Sequence, residues 1–134
     1  MNYWLLKTEP DTYSWNDLVK DKKTIWDGVK NFQARKNMKA MKTGDWVFIY
    51  HTGAEKAAMG IAEVKKEAYA DPKDKEWLVV ELVPKKALKR GVSLAEVKAD
   101  KKLAEMALVK YARLSVQPVK KEEFDRILEL SEQK

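Results

Sequence analysis

Thr43–Gly53 reads TGDWVFIYHTG. Thr-Gly-Asp is a turn signal, and Trp46–His51 behind it is nearly continuous in apolar residues instead of alternating. A strand with that pattern carries apolar side chains on both faces and belongs in the middle of a closed or covered sheet. Thr52-Gly53 then opens a loop. The rest of the chain has to supply the strands beside this one and the helices that pack against them.

Those elements can be found on both sides. Tyr3–Lys7 is a short apolar run ended by Thr8-Glu9-Pro10-Asp11, which predicts a strand entering a turn. Gly60–Tyr69 and Trp77–Leu82 flank the turn-rich Ala70–Lys75, and Leu78, Val80 and Leu82 alternate, so this pair is expected to be a hairpin. Leu114–Val119 is the last strand candidate. Ser14 with Asp17, and Ser93 with Glu96, have the spacing of capping boxes and predict helices over Trp15–Val19 and Leu94–Ala99. Asn31 is a helix cap, after which Ala34, Met38 and Met41 recur as a core-facing stripe. Leu103, Met106 and Ala107 suit another helical turn or two, and Phe124, Ile127 and Leu128 an amphipathic C-terminal helix with Glu122 and Glu123 at its start. About five or six strands with short helices between them, and no repeat or linker, give an α+β class and a single domain over 1–134.

A chain of 134 residues is long enough to bury a core without staples. It contains no cysteine, which excludes disulfides, thiolate zinc sites and a cysteine nucleophile. The single histidine, His51, rules out a multi-histidine metal site. Neither a phosphate-cradling glycine loop, a dinucleotide fingerprint nor a Ser/His/Asp order is present, so no cofactor is expected. No apolar run approaches ~18 residues and Met1-Asn2 leads directly into YWLLKTEP; the expectation is a soluble, cytoplasmic protein without a membrane partner.

The formal net charge of +6 favours an anionic partner. The excess is local: Lys20, Lys22, Lys23, Lys30, Arg35, Lys36, Lys39 and Lys42 face only Asp21 and Asp27, while Lys120–Lys134 is nearly balanced. At about 100° per residue, Asn31, Arg35, Lys39 and Lys42 share one helix face beside the core stripe. Such a face is either solvated or holds phosphates.

Three further features carry two readings each. His51, at the end of an apolar strand, is a satisfied structural residue or a ligand or proton-transfer group. Of the five tryptophans, Trp4, Trp15, Trp46 and Trp77 are expected in the core. Trp26 precedes Asp27-Gly28, a turn signal; a tryptophan placed in a loop has little packing reason to be there, so a base-stacking role weighs against a core role. Lys7-Thr8-Glu9-Pro10 is a surface turn, or a polar constellation at a cleft mouth.

Taken together, YWLLKTEPDTYSW (3–15), TIWDGVKNFQAR (24–35), MKTGDWVFIYHTG (41–53), GIAEV (60–64), VSLAEVKAD (92–100) and LVKYARLSVQPV (108–119) resemble the EVE domain family. The resemblance runs in order from about Tyr3 to about Leu128. It implies a PUA-like fold, a bent β-barrel with peripheral helices, and a pocket that accepts a flipped, chemically modified base: 5-methyl- or 5-hydroxymethylcytosine in DNA, or a modified base in RNA. Carried over by position, the pocket comprises Lys7, Thr8, Glu9, Pro10, Trp15, Trp26, Gly28, Val29, Asn31, Tyr50, His51 and Thr52. Lys30 and Lys36 stand where many relatives are expected to have arginine and asparagine, and lysine at 30 keeps the charge without the planar fork.

The expected function is a non-catalytic nucleic-acid reader, with Lys30, Arg35, Lys39 and Lys42 on phosphates. The alternatives are a hydrolase of modified nucleosides, similar to some ASCH relatives and using Lys7, Thr8 and Glu9, or a small-molecule-binding module. Against the hydrolase, strand alternation points Thr8 away from Lys7 and Glu9.

Overall fold

The computed structural model describes residues 1–133. Among them, six strands form one mixed sheet: β1 (Tyr3–Thr8), β2 (Thr24–Trp26), β3 (Trp46–His51), β4 (Ala57–Asp71), β5 (Asp74–Ser93) and β6 (Val116–Val119), in the order β2-β5-β4-β3-β1-β6. Five helices pack around it: α1 (Trp15–Asp21), α2 (Phe32–Ala40), α3 (Leu94–Ala99), α4 (Ala107–Lys110) and α5 (Lys121–Glu132). A 3-10 turn at Lys101–Leu103 joins α3 to α4.

WVFIYH is a central strand, as its composition predicts. β3 pairs in parallel with β1 and antiparallel with β4. Parallel neighbours need a long crossover, and the segment carrying α1, β2 and α2 supplies it. Val47 and Ile49 enter one core with Trp4 and Leu6 of β1, under Leu18 of α1 and Ala34 and Met38 of α2. Phe48 and Tyr50 enter a second core with Leu5, under α3, α4 and α5. There Phe48 stacks on Phe124 with ring centroids 4.4 Å apart.

The turn before β3 is fixed by a buried carboxylate. Asp45 accepts hydrogen bonds from the Asn2 amide (3.0 Å), Trp4 Nε1 (3.0 Å) and the Lys42 amide (2.9 Å). These bonds set the register of β1 beside β3. On the other flank the β3–β4 register shifts between Ile49 and Tyr50, next to Gly60. A Cβ at Gly60 would lie 2.3 Å from Cε2 of Trp15, so the absent side chain is what lets the indole of α1 lie on the sheet.

Three expectations need correction. The hairpin is longer than Gly60–Tyr69 with Trp77–Leu82: β4 and β5 run to a tight turn at Pro72-Lys73. Repeated register shifts along the pair break the alternation that marks a strand in sequence, and Pro84 is accommodated beside one of them. Trp26 does not stand in a loop; it ends the edge strand β2, opposite Val80. The strand pairing is also open, since β2 and β6 are the sheet's two edges. Helix α2 packs against β4, β5 and β6 across that opening.

Candidate functional site

The ends of β1 and β2 border a cleft of about 460 Å³ lined by Lys7, Thr8, Glu9, Thr12, Tyr13, Thr24, Ile25, Trp26, Asp27 and Gly28. Its floor is built by local structure on both sides. Beyond β1 the chain turns at once, with the Thr12 and Tyr13 amides both donating to the Glu9 carbonyl at 2.9 Å. Thr8 Oγ1 closes that turn by donating to the Tyr13 carbonyl at 2.6 Å. Opposite, Asp27-Gly28 leaves β2 with Gly28 at φ +75°, a left-handed conformation that glycine adopts without strain.

Two aromatic rings form the apolar wall. Tyr13 meets Trp26 edge to face, with centroids 6.1 Å apart at 88°. Trp26 is only 8% exposed and belongs to the core beneath α2, so it presents a rigid edge of the cleft and not a free platform. Tyr13 is half-buried, and its hydroxyl donates to Asp21 Oδ2 at 2.9 Å. Burial, followed by the Asp21 carboxylate, pushes the Tyr13 phenol up, which keeps it a neutral donor.

Lys7 stands between this cleft and a second one of about 360 Å³, whose lining also includes Tyr50, Thr52, Lys56 and Lys98. Its Nζ donates to the Ala112 carbonyl at 2.6 Å and lies 5.9 Å from the centroid of the Tyr50 ring. Burial lowers the Lys7 ammonium below the usual lysine range.

The predicted pocket residues therefore divide. Lys7, Thr8, Glu9, Trp26 and Gly28 meet in the first cleft, while Tyr50 and Thr52 lie in the second with Lys7. Pro10 belongs to the turn after β1 and lines neither. Trp15 and Val29 are core residues. Asn31 caps α2, its Oδ1 accepting from the Ala34 amide at 2.9 Å. His51 is buried, and its Nε2 accepts from the Trp15 amide at the start of α1 (2.9 Å), with Nδ1 3.3 Å from Glu55. An amide can only donate, so the ring carries its proton on Nδ1 in this arrangement.

Thr12, Tyr13, Thr24 and Ile25 line the cleft without having been expected there. Tyr13 could have been found as the aromatic directly before a capping box. Thr24-Ile25-Trp26 is a β-branched and aromatic run too short to stand out as a strand.

The four predicted phosphate ligands are also distinct in place. Lys39 and Lys42 are exposed at the end of α2 and just beyond it. Lys30 pairs with Asp74 at 3.8 Å. Arg35 donates to the Glu76 carbonyl at 2.7 Å, which fixes its guanidinium against the β4–β5 turn.

A sequence model of the EVE domain matches residues 2–130. Human thymocyte nuclear protein 1 is 34% identical, over 98% of this chain and 74% of its own length. Among solved structures, a Rhodopseudomonas palustris protein is 44% identical with a TM-score of 0.93, covering 98% of this chain and 93% of that one. The human THYN1 protein in complex with 5-methylcytosine-containing DNA is 31% identical with a TM-score of 0.91, covering 100% and 99%. A Zymomonas mobilis ASCH protein, at 12% identity and a TM-score of 0.60, shares the fold alone. The family match over nearly the whole length and the likeness to relatives of the same fold agree: the chain belongs to the EVE domain family.

Proposed function

We propose that this protein binds DNA and receives a modified cytosine in the cleft between β1 and β2, without catalysing a reaction. The observation that carries this reading is the joining, in one cleft, of an aromatic pair with a polar end: Tyr13 and Trp26 on one side, Lys7, Thr8 and Glu9 on the other. A cytosine turned out of its stack loses a few kcal/mol of stacking and pairing. Contact with the rings and hydrogen bonds to the Watson–Crick edge offset that loss. The likeness to a protein solved with 5-methylcytosine-containing DNA supports the choice of base and polymer.

Selectivity follows from the size of a methyl group. Its burial is worth about 0.8 kcal/mol, so methylated DNA should bind roughly fourfold more tightly than unmethylated DNA. The test is fluorescence anisotropy with labelled oligonucleotides carrying cytosine or 5-methylcytosine, as DNA and as RNA. Tyr13→Leu should abolish the methyl preference while the protein stays folded. Equal affinity for modified and unmodified DNA, or a preference that survives Tyr13→Leu, would sink the reading.

One observation favours a hydrolase: burial makes the Lys7 ammonium easier to deprotonate, as a general base requires. Against it, the bond from Lys7 Nζ to the Ala112 carbonyl favours the ammonium over the free amine that a base needs, and Thr8 Oγ1 gives its one proton to the Tyr13 carbonyl, while both keep capacity to hydrogen-bond a base. Incubation with an N4-acylated cytidine and mass analysis separates the two. Product formation lost in Lys7→Ala would establish the enzyme, and its absence removes it.

A further inference from the structure

We propose that Phe32 and Trp77 form a second aromatic platform, on which a base of the DNA flanking the bound cytosine stacks, with Arg35 and Lys30 neutralising the adjoining phosphates. This inference rests on the DNA-binding reading above and extends it to a surface outside the cleft.

Phe32 is the first residue of α2, immediately after the Asn31 cap, and is 62% exposed. Its ring stacks on Trp77 of β5, with centroids 5.2 Å apart at 29°. Two cations lie over the pair. The Arg35 guanidinium is 4.9 Å from the Phe32 centroid and 5.5 Å from that of Trp77, and Lys30 Nζ is 5.5 Å from Trp77. The bond from Arg35 to the Glu76 carbonyl holds the guanidinium beside the rings before any ligand arrives. The facing acids are Asp74, which pairs with Lys30, and the exposed side chain of Glu76.

An exposed phenylalanine fixed beside a guanidinium needs a reason. Capping and packing of α2 are met by Asn31, Ala34 and Met38 without it. A ring open to solvent with positive charge at its side matches a base on its sugar-phosphate chain, which offers a π-face and an anion together. The position is also right. Ile25 in the cleft lies opposite Glu81, so Trp77 sits four positions further along β5 toward the turn, on the same face of the strand. From Gly28 in the cleft to Phe32 is a span of four residues, at most about 14 Å of chain. With bases spaced about 3.4 Å apart along one strand of a duplex, the platform is within a few nucleotides of the cleft.

The experiment compares wild type, Phe32→Ala, Phe32→Tyr and Tyr13→Leu against a 12-nucleotide duplex with one central 5-methylcytosine, by anisotropy, and against 5-methyldeoxycytidine, by calorimetry. Expected are an affinity for the duplex at least about fivefold weaker in Phe32→Ala, restoration in Phe32→Tyr, and unchanged binding of the nucleoside. An undiminished duplex affinity in Phe32→Ala overturns the platform, as does an equal loss for the nucleoside, which would place the effect in the cleft. If Tyr13→Leu weakens duplex binding while Phe32→Ala does not, the platform alone fails. If wild type binds no duplex, both readings fail.

Discussion

Asp45 shows how one side chain can fix the position of a strand. Its carboxylate is buried and gathers an indole N–H and two backbone amides, two of the donors from the N-terminal segment Asn2–Trp4 and one from Lys42 in its own turn. A hydrogen bond to a charged acceptor contributes about 1.5–3 kcal/mol, and removing the acceptor leaves each donor dry. Asp45→Ala should therefore lower the unfolding free energy by about 3 kcal/mol or more, read from urea titration; a loss below about 1 kcal/mol would show that water reaches these donors. His51 is a comparable case. Its Nε2 is the acceptor for the Trp15 amide, and His51→Phe would leave that amide buried without one, at a cost of about 1–3 kcal/mol measured the same way. Neither role is readable from the sequence, where TGDW shows a turn and a lone histidine shows nothing about its partner.

The helix starts were legible because their signals are local. Ser14 with Asp17, Ser93 with Glu96, and Asn31 all cap the helices their spacing predicts, and Ala34, Met38 and Met41 are fully buried as their stripe requires. The strands were legible only where both faces are covered or alternation is clean. The long β4–β5 pair hid behind its register shifts, and β2, with Ile25 exposed and Trp26 buried, is too short to show a period. The cleft was half legible for the same reason: Lys7–Glu9 continues a readable strand, whereas Tyr13 and Thr24 reach it only through tertiary packing. The α3 cap also carries a charge device. Arg90 pairs with Glu96 through two 2.7 Å hydrogen bonds and also donates to the Gln133 carbonyl, tying β5 and α3 to the end of α5. The Arg90 guanidinium holds the Glu96 carboxyl down at about 2. A carboxyl whose folded value is depressed stabilises the fold above its unfolded value and loses that contribution as pH falls. Unfolding midpoints measured between about pH 4.5 and about 2 should then fall less steeply in Glu96→Gln than in wild type. Parallel curves would show that the pair is too well solvated to matter.

Charge is distributed over the molecule in a way that separates the proposed DNA-binding face from the rest. Around α2 the cations outnumber the acids, and Lys39 and Lys42 are exposed there. Around α5 two of the lysines are paired: Lys89 with Glu132 at 2.6 Å and Lys121 with Asp125 at 2.8 Å. No helix among the described residues is long and apolar enough to cross a membrane. A lysine that neutralises a phosphate releases a counterion, and the logarithm of the binding constant then falls with the logarithm of salt by about 0.9 for each such contact. Lys39→Gln and Lys42→Gln should each reduce that slope by about 0.9 and weaken cytosine and 5-methylcytosine duplexes equally, because phosphates carry no base identity. Lys89→Gln and Lys121→Gln should leave the slope unchanged. Anisotropy titrations across a salt series read all four variants. If the α5 variants change the slope as much as the α2 variants do, attraction is spread over the whole surface and α2 is not the face that meets DNA. If Lys39→Gln or Lys42→Gln alters the methyl preference itself, that lysine acts on the base and the division between phosphate face and cleft is wrong.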